Sequence, residues 1–178
     1  MRYSTITISG QLGSGKSTVA KILAEKLGWL YYSTGMAQRE IAQKRGISTV
    51  ELNRLAVSDP KIDEEIDGVF KNPPWGDRPC VVDSRLAFYF LPKSFKVCLL
   101  VDIATAAKRV AAEKGRVSEH YSTEGEALDY LKKRRELELA HFSKNYHVDI
   151  DDLTQFDLVI DTTHLTAEEV CRKILEKL

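Results

Sequence analysis

The run YSTITISG alternates apolar and polar positions, turns β-rich and ends on a glycine, the pattern of a strand entering a tight turn. In STVAKILAEKLG the spacing changes: Val19, Ile22, Leu23 and Leu27 recur at helical intervals and Gly28 supplies a C-cap. A short strand, WLYYS, comes next. MAQREIAQKRG repeats the helix-then-glycine pattern, and Ser48 with Glu51 reads as a capping box opening another helix. Pro60 suits the first turn of the helix PKIDEEIDGVFK, so three helices fall between the second and third strands. NPPWGDRP, rich in proline, predicts a surface connection. CVVD and FKVCLLVD are short apolar runs suited to strands covered on both faces. IATAAKRVAAEKG and EGEALDYLKKRRELELAHFSKNY predict helices, FDLVID a last strand and TAEEVCRKILEKL a terminal helix. Strands alternating with helices predict an α/β fold, doubly wound around a parallel sheet of about five strands. The polar, glycine-flanked segment GRVSEHYSTEG is a candidate flap.

Composition narrows the class. With 178 residues, 43% of them hydrophobic, the chain suffices for one well-buried domain. Lys and Arg (26) balance Asp and Glu (26), so no global basic field draws it to nucleic acid or an anionic membrane. Cys80, Cys98 and Cys171 form no CxxC pair and read as buried reduced thiols. No signal-peptide core is seen at the start and no apolar run nears the roughly 20 residues of a membrane span, so a cytoplasmic protein is expected, a monomer by default.

The chemistry is clearest at Gly10, Gln11, Leu12, Gly13, Ser14, Gly15, Lys16 and Ser17, a complete G-x-x-x-x-G-K-S between a predicted strand and a predicted helix. Glycines there let backbone N–H groups turn toward phosphate oxygens, and the helix start adds a positive dipole end. Lys16 is expected to bridge the β- and γ-phosphates of ATP, Ser17 to ligate Mg²⁺, and Thr18 to extend the nucleotide site. The fold class is therefore a P-loop NTPase three-layer sandwich. Asp83, at the end of CVVD, fits the acid that holds water on the magnesium; the other reading is a cap of the next helix.

Beyond this loop, YYSTGMAQREIAQKRGIS, PKIDEEID, VVDSRLAFYFLP, FKVCLLVD and YHVDIDDLTQFDLVIDTT follow one another in an order that resembles the cytidylate kinases, above all their short archaeal-type branch. The resemblance implies a nucleoside monophosphate kinase moving the γ-phosphoryl of ATP onto the α-phosphate of CMP or dCMP. It implies a helical insertion for the monophosphate at about residues 33–78, and a lid at about 115–135. Ser33, Thr34 and Gly35 match the strand exit facing the acceptor, and Arg39 and Arg85 match two arginines that grip its phosphate. A guanidinium fork suits paired oxygens, and two polyanions brought together need cations between them. Asp63 and Asp67, at i and i+4, are expected to shape the same pocket. Without the resemblance, Arg39 and Arg85 read equally as solvated surface charges.

Arg134, in KKRR, matches the first lid arginine, which stabilises charge on the transferring phosphoryl; the other reading is a solvated basic face balanced by Glu136 and Glu138. Arg109 matches an arginine at the root of the lid that contacts ATP, and Asp161 with Thr162 match a block near the adenine. Two positions depart from the family: His141 stands where a second lid arginine is usual, and Ser84 where a glycine is common. Two alternatives stay open, a P-loop kinase of AMP, UMP, a shikimate-like acceptor or dephospho-coenzyme A, and a nucleotide-binding regulatory module with weak transfer.

Overall fold

The computed structural model describes residues 2–56, 59–112 and 123–178. Five parallel strands form one sheet: β1 (Thr5–Gly10), β2 (Leu30–Ser33), β3 (Cys80–Asp83), β4 (Phe95–Leu100) and β5 (Leu158–Asp161), in the order β2-β3-β1-β4-β5. The first strand is central, paired on one side to β3 and on the other to β4. Its alternation explains both faces. Ile6 and Ile8 are fully buried beneath α1 (Lys16–Leu27) and α8 (Ala167–Leu175), in a cluster with Leu23, Val170 and Ile174. Each such side chain contributes about 1.5–3 kcal/mol through its removal from water. On the opposite face Thr7 and Ser9 are buried but satisfied: the Thr7 hydroxyl lies 3.1 Å from that of Ser94, and Ser9 Oγ donates to the Ser84 carbonyl at 2.9 Å.

Between β2 and β3 the chain forms α2 (Thr34–Arg45), α3 (Thr49–Ala56) and α4 (Pro60–Gly68), which pack on one another through Ile41, Ala42, Leu52, Ile62 and Ile66. After β3 comes a short helix, α5 (Ala87–Phe90), which the apolar pattern did not predict. Then α6 (Ile103–Ala112) and α7 (Glu124–Tyr146) pack together through Ala106, Val110, Ala127 and Leu131. Of the candidate lid, residues 115–122 lie outside the described residues; the remainder, from the Thr123 cap onward, is the N-terminal half of α7.

Local expectations differ in two further places. The proline-rich connection is anchored, because Trp75 is buried against Tyr32 with ring centroids 5.1 Å apart. At α3 the Ser48 hydroxyl accepts from Glu51 N, but the Glu51 carboxylate turns to Arg54 at 2.8 Å; the reciprocal capping box forms at Thr166 and Glu169 of α8. All three cysteines are free and buried, and among the described residues no helix is long and apolar enough to cross a membrane.

Candidate active site

The loop between β1 and α1 is shaped by its neighbours as much as by its own glycines. Gly10 has φ 133°, and a Cβ there would stand 2.1 Å from the Leu99 carbonyl oxygen, so no side chain fits beside β4. Gly13, at φ 80°, presses against Ala106 of α6. Gln11 fastens the loop to the same strand end: its Oε1 accepts from Val101 N at 2.9 Å. Its carbonyl accepts from Ser14 Oγ at 2.7 Å and from Lys16 Nζ at 2.8 Å. Burial first, and the Arg85 cation second, push the Lys16 ammonium down to about 7.

Arg109 and Thr162 brace the loop through its carbonyls. The Thr162 hydroxyl lies 3.1 Å from the Ser14 carbonyl and 2.9 Å from that of Leu100, and Arg109 donates to the carbonyls of Thr162 at 2.7 Å and Gly13 at 3.3 Å. Ser17, one residue past Lys16, donates to Asp83 Oδ2 at 2.5 Å, and the Tyr31 hydroxyl lies 3.3 Å from the same oxygen. A hydroxyl beside a carboxylate that faces the phosphate loop is a sparse oxygen set suited to a hydrated Mg²⁺, which keeps several waters. Thr18 is exposed on the first turn of α1.

In front of the loop lies a cleft of about 560 Å³. One end holds Leu12, Lys16, Ser17 and Asp83, and its walls carry Ser33, Thr34, Gly35 and Arg39 from the start of α2, Ser84 and Arg85 after β3, and Arg134 from α7. The structure therefore brings together cations from four separate parts of the chain: Lys16, Arg39, Arg85 and Arg134. Ser33 is occupied as the α2 cap, accepting from Met36 N at 3.2 Å, while Arg39 is exposed. Among the described residues, two buried side-chain polar atoms have no hydrogen-bond partner, Thr34 Oγ1 and Arg85 Nε, and both residues line this cleft. Orphaned buried donors are rare and call for a ligand or a water.

The opposite end is acidic and aromatic: Asp63, Ile66 and Asp67 from α4 face His141 and Phe142 from α7. His141 Nε2 lies 3.2 Å from Asp63 Oδ2, so its ring is turned to α4. Burial pushes the Asp63 carboxyl up and His141 opposes it. Burial lifts Asp67 to about 6, against the hydrogen bond donated by the Tyr146 hydroxyl.

Sequence reasoning missed Glu138. It enters the sequence reading only as a balancing charge in the alternative of a solvated basic face, yet it is half-buried and accepts from both Arg85 and Arg134, the latter at 2.9 Å. The i, i+4 spacing from Arg134 was the available signal. Arg135 of the same basic run pairs instead with Asp151. Tyr31 and the side-chain anchor of Gln11 were also missed.

A family model described as the cytidylate kinase-like family matches residues 5–73 and 69–164. A cytidylate kinase of Aeropyrum pernix is 38% identical over 172 residues, covering 95% of this chain and 95% of that protein. An S-adenosylmethionine-dependent nucleotide dehydratase of Lacinutrix mariniflava is 36% identical over 172 residues, covering 96% of this chain and 35% of that protein. Among solved structures, a shikimate kinase from Acinetobacter baumannii in complex with shikimate superposes with a TM-score of 0.62 at 20% identity, covering 97% of this chain and 90% of that one. That last likeness speaks for the fold alone.

Proposed function

The chain belongs to the cytidylate kinase-like family and is a nucleoside monophosphate kinase, and we propose that it transfers the γ-phosphoryl group of ATP to the α-phosphate of CMP or dCMP. The observation that carries this reading is the cleft itself. Lys16, Arg39, Arg85 and Arg134 converge on it from four parts of the chain, and it contains an unpartnered guanidinium donor. Two anionic nucleotides meeting end to end need such an arrangement to offset their repulsion.

In this reading Lys16 and the loop backbone hold the donor phosphates. Arg109 and Thr162 brace the loop, keeping Gly13 and Ser14 in place rather than touching nucleotide. Ser17 and Asp83 would hold a hydrated Mg²⁺, which would supply charge neutralisation when bound. Arg39 and Arg85 grip the acceptor phosphate, with Ser33, Thr34 and Gly35 along its path, and Arg134 meets the charge that develops on the transferred group. No activated nucleophile is needed, because the acceptor phosphate is already an anion; alignment and charge stabilisation suffice. Residues 33–78 form the acceptor insertion, and the segment near 115–135 the lid.

Base choice follows from the far end. Asp63 and Asp67 offer acceptors beside the apolar surfaces of Ile66 and Phe142. Cytosine presents an exocyclic amino donor there, whereas uracil presents an acceptor. A reducing cytoplasmic setting is proposed on the three free, buried thiols. The test is ADP formation with CMP, dCMP, UMP, AMP, shikimate and dephospho-coenzyme A. Highest kcat/KM with CMP or dCMP is expected. A preference for any other acceptor overturns the base assignment, and ATP binding with no acceptor-dependent ADP would leave a nucleotide-binding module.

A further inference from the structure

Glu138 holds the two arginines assigned to the transferred and acceptor phosphates. Its carboxylate accepts from Arg85 Nη1 and from Arg134 Nε, and Arg134 also donates to the Tyr130 hydroxyl at 2.6 Å. The contact is sheltered: the Glu138 and Arg85 side chains are 15% and 19% exposed. Lys16 lies close enough for its charge to feel both Arg85 and Glu138. Three cations crowded into a half-buried cleft would repel one another, and removing one partner from such a cluster leaves charge uncompensated. A carboxylate bridging two guanidiniums makes the same charge-assisted bonds that a phosphate makes with them.

We propose that Glu138 is a resident counter-ion which the acceptor phosphate must displace, so that Arg85 is released to that phosphate and Arg134 toward the transferring phosphoryl group when an acceptor is bound. The inference rests on the kinase reading of the cleft. Its consequence concerns two reactions that break the same bond. In transfer, an oxygen of the acceptor α-phosphate bonds to the γ-phosphorus of ATP as the bond to the β,γ-bridging oxygen breaks, and ADP departs with the electron pair. In hydrolysis, a water oxygen makes that bond and its proton passes to solvent. Free arginines stabilise both transition states, whereas arginines engaged by Glu138 serve neither. Coupling their release to acceptor phosphate suppresses the reaction with water. Glu138 is thus a positioning residue, acting through the two guanidiniums.

The test compares wild type, Glu138→Gln and Glu138→Asp, each checked for folding by circular dichroism and thermal melting. ATP hydrolysis without any acceptor should rise about tenfold in E138Q, a fraction of what arginine access is worth in P-loop enzymes. The acceptor KM should fall in the same variant, because phosphate no longer competes with an anion. E138D, which keeps the charge, should return hydrolysis toward the wild-type rate. Unchanged or slower hydrolysis in folded E138Q overturns the proposal, since a merely structural role predicts loss. Should E138Q not fold, a crystal of the wild-type chain with CMP and a non-hydrolysable ATP analogue decides: Glu138 parted from both guanidiniums supports the inference, and an intact bridge overturns it. Hydrolysis in the absence of acceptor needs no CMP, so failure of the acceptor assignment is read separately, in the wild-type panel.

Discussion

The two ends of the cleft are built by different means. At the end proposed for the donor, position is fixed by backbone: Gly10 is wedged against β4, Gly13 against α6, and the Gln11 carbonyl holds Ser14 and Lys16. At the end proposed for the acceptor, position is fixed by side chains reaching from α2, α4 and α7, of which Arg39 is exposed and His141 is turned to Asp63. A site made of backbone leaves a compact trace in sequence, because each glycine answers a local steric demand. A site made of distant side chains leaves scattered arginines and acids that resemble any solvated helix face.

That contrast orders the expected effects of perturbation. Replacing Lys16 by alanine strikes the donor end and should lower kcat by about 10³-fold or more while the melting profile is retained, as a coupled ADP assay beside circular dichroism would read. Activity near wild type would break the assignment of the loop. Arg39→Ala strikes the acceptor end alone: the acceptor KM should rise about 10- to 100-fold, the loss of charged hydrogen bonds, with the ATP KM nearly unchanged. An equal rise in both would mean that the two ends are not separate.

Acidity should separate them further, in opposite directions. Lys16 sits at about 7 in the free protein, and phosphate binding restores its ordinary higher value, so binding takes up a proton above pH 7. ATP affinity should be level below pH 7 and fall up to about tenfold per unit above it, with proton uptake visible by calorimetry in buffers of different ionisation enthalpy. Asp67 sits at about 6 and is an acceptor when ionised. CMP affinity should therefore be level above pH 6 and weaken a few-fold as the carboxyl gains a proton below it, with the preference over UMP narrowing. Parallel pH profiles for the two substrates would contradict the division.

How far the molecule was legible follows the same line. Strand and helix periodicity predicted the α/β sheet, and the glycine–lysine motif predicted the phosphate loop, because both are local. Asp83 reads from sequence as a magnesium neighbour or a helix cap, and the hydroxyl that donates to it, from Ser17, lies 66 positions away along the chain. Arg39 and Arg85 could be placed in one pocket through resemblance, whereas spacing alone left them as surface charges. Glu138 was misplaced because its i, i+4 bond to Arg134 is visible along the helix but its bond to Arg85, 53 positions away, is not. Trp75 sat in a proline-rich tract that read as surface, and its burial depends on Tyr32, a partner no local rule supplies.

The hydroxyl of Thr162 reaches the Ser14 carbonyl over 148 positions of chain, and Arg109 ties the same two regions together. During synthesis the glycine-rich turn emerges well before its buttress. Nucleotide affinity should therefore switch on only once β5 and Thr162 have left the ribosome, and a nascent chain stalled short of them would carry the motif without the grip.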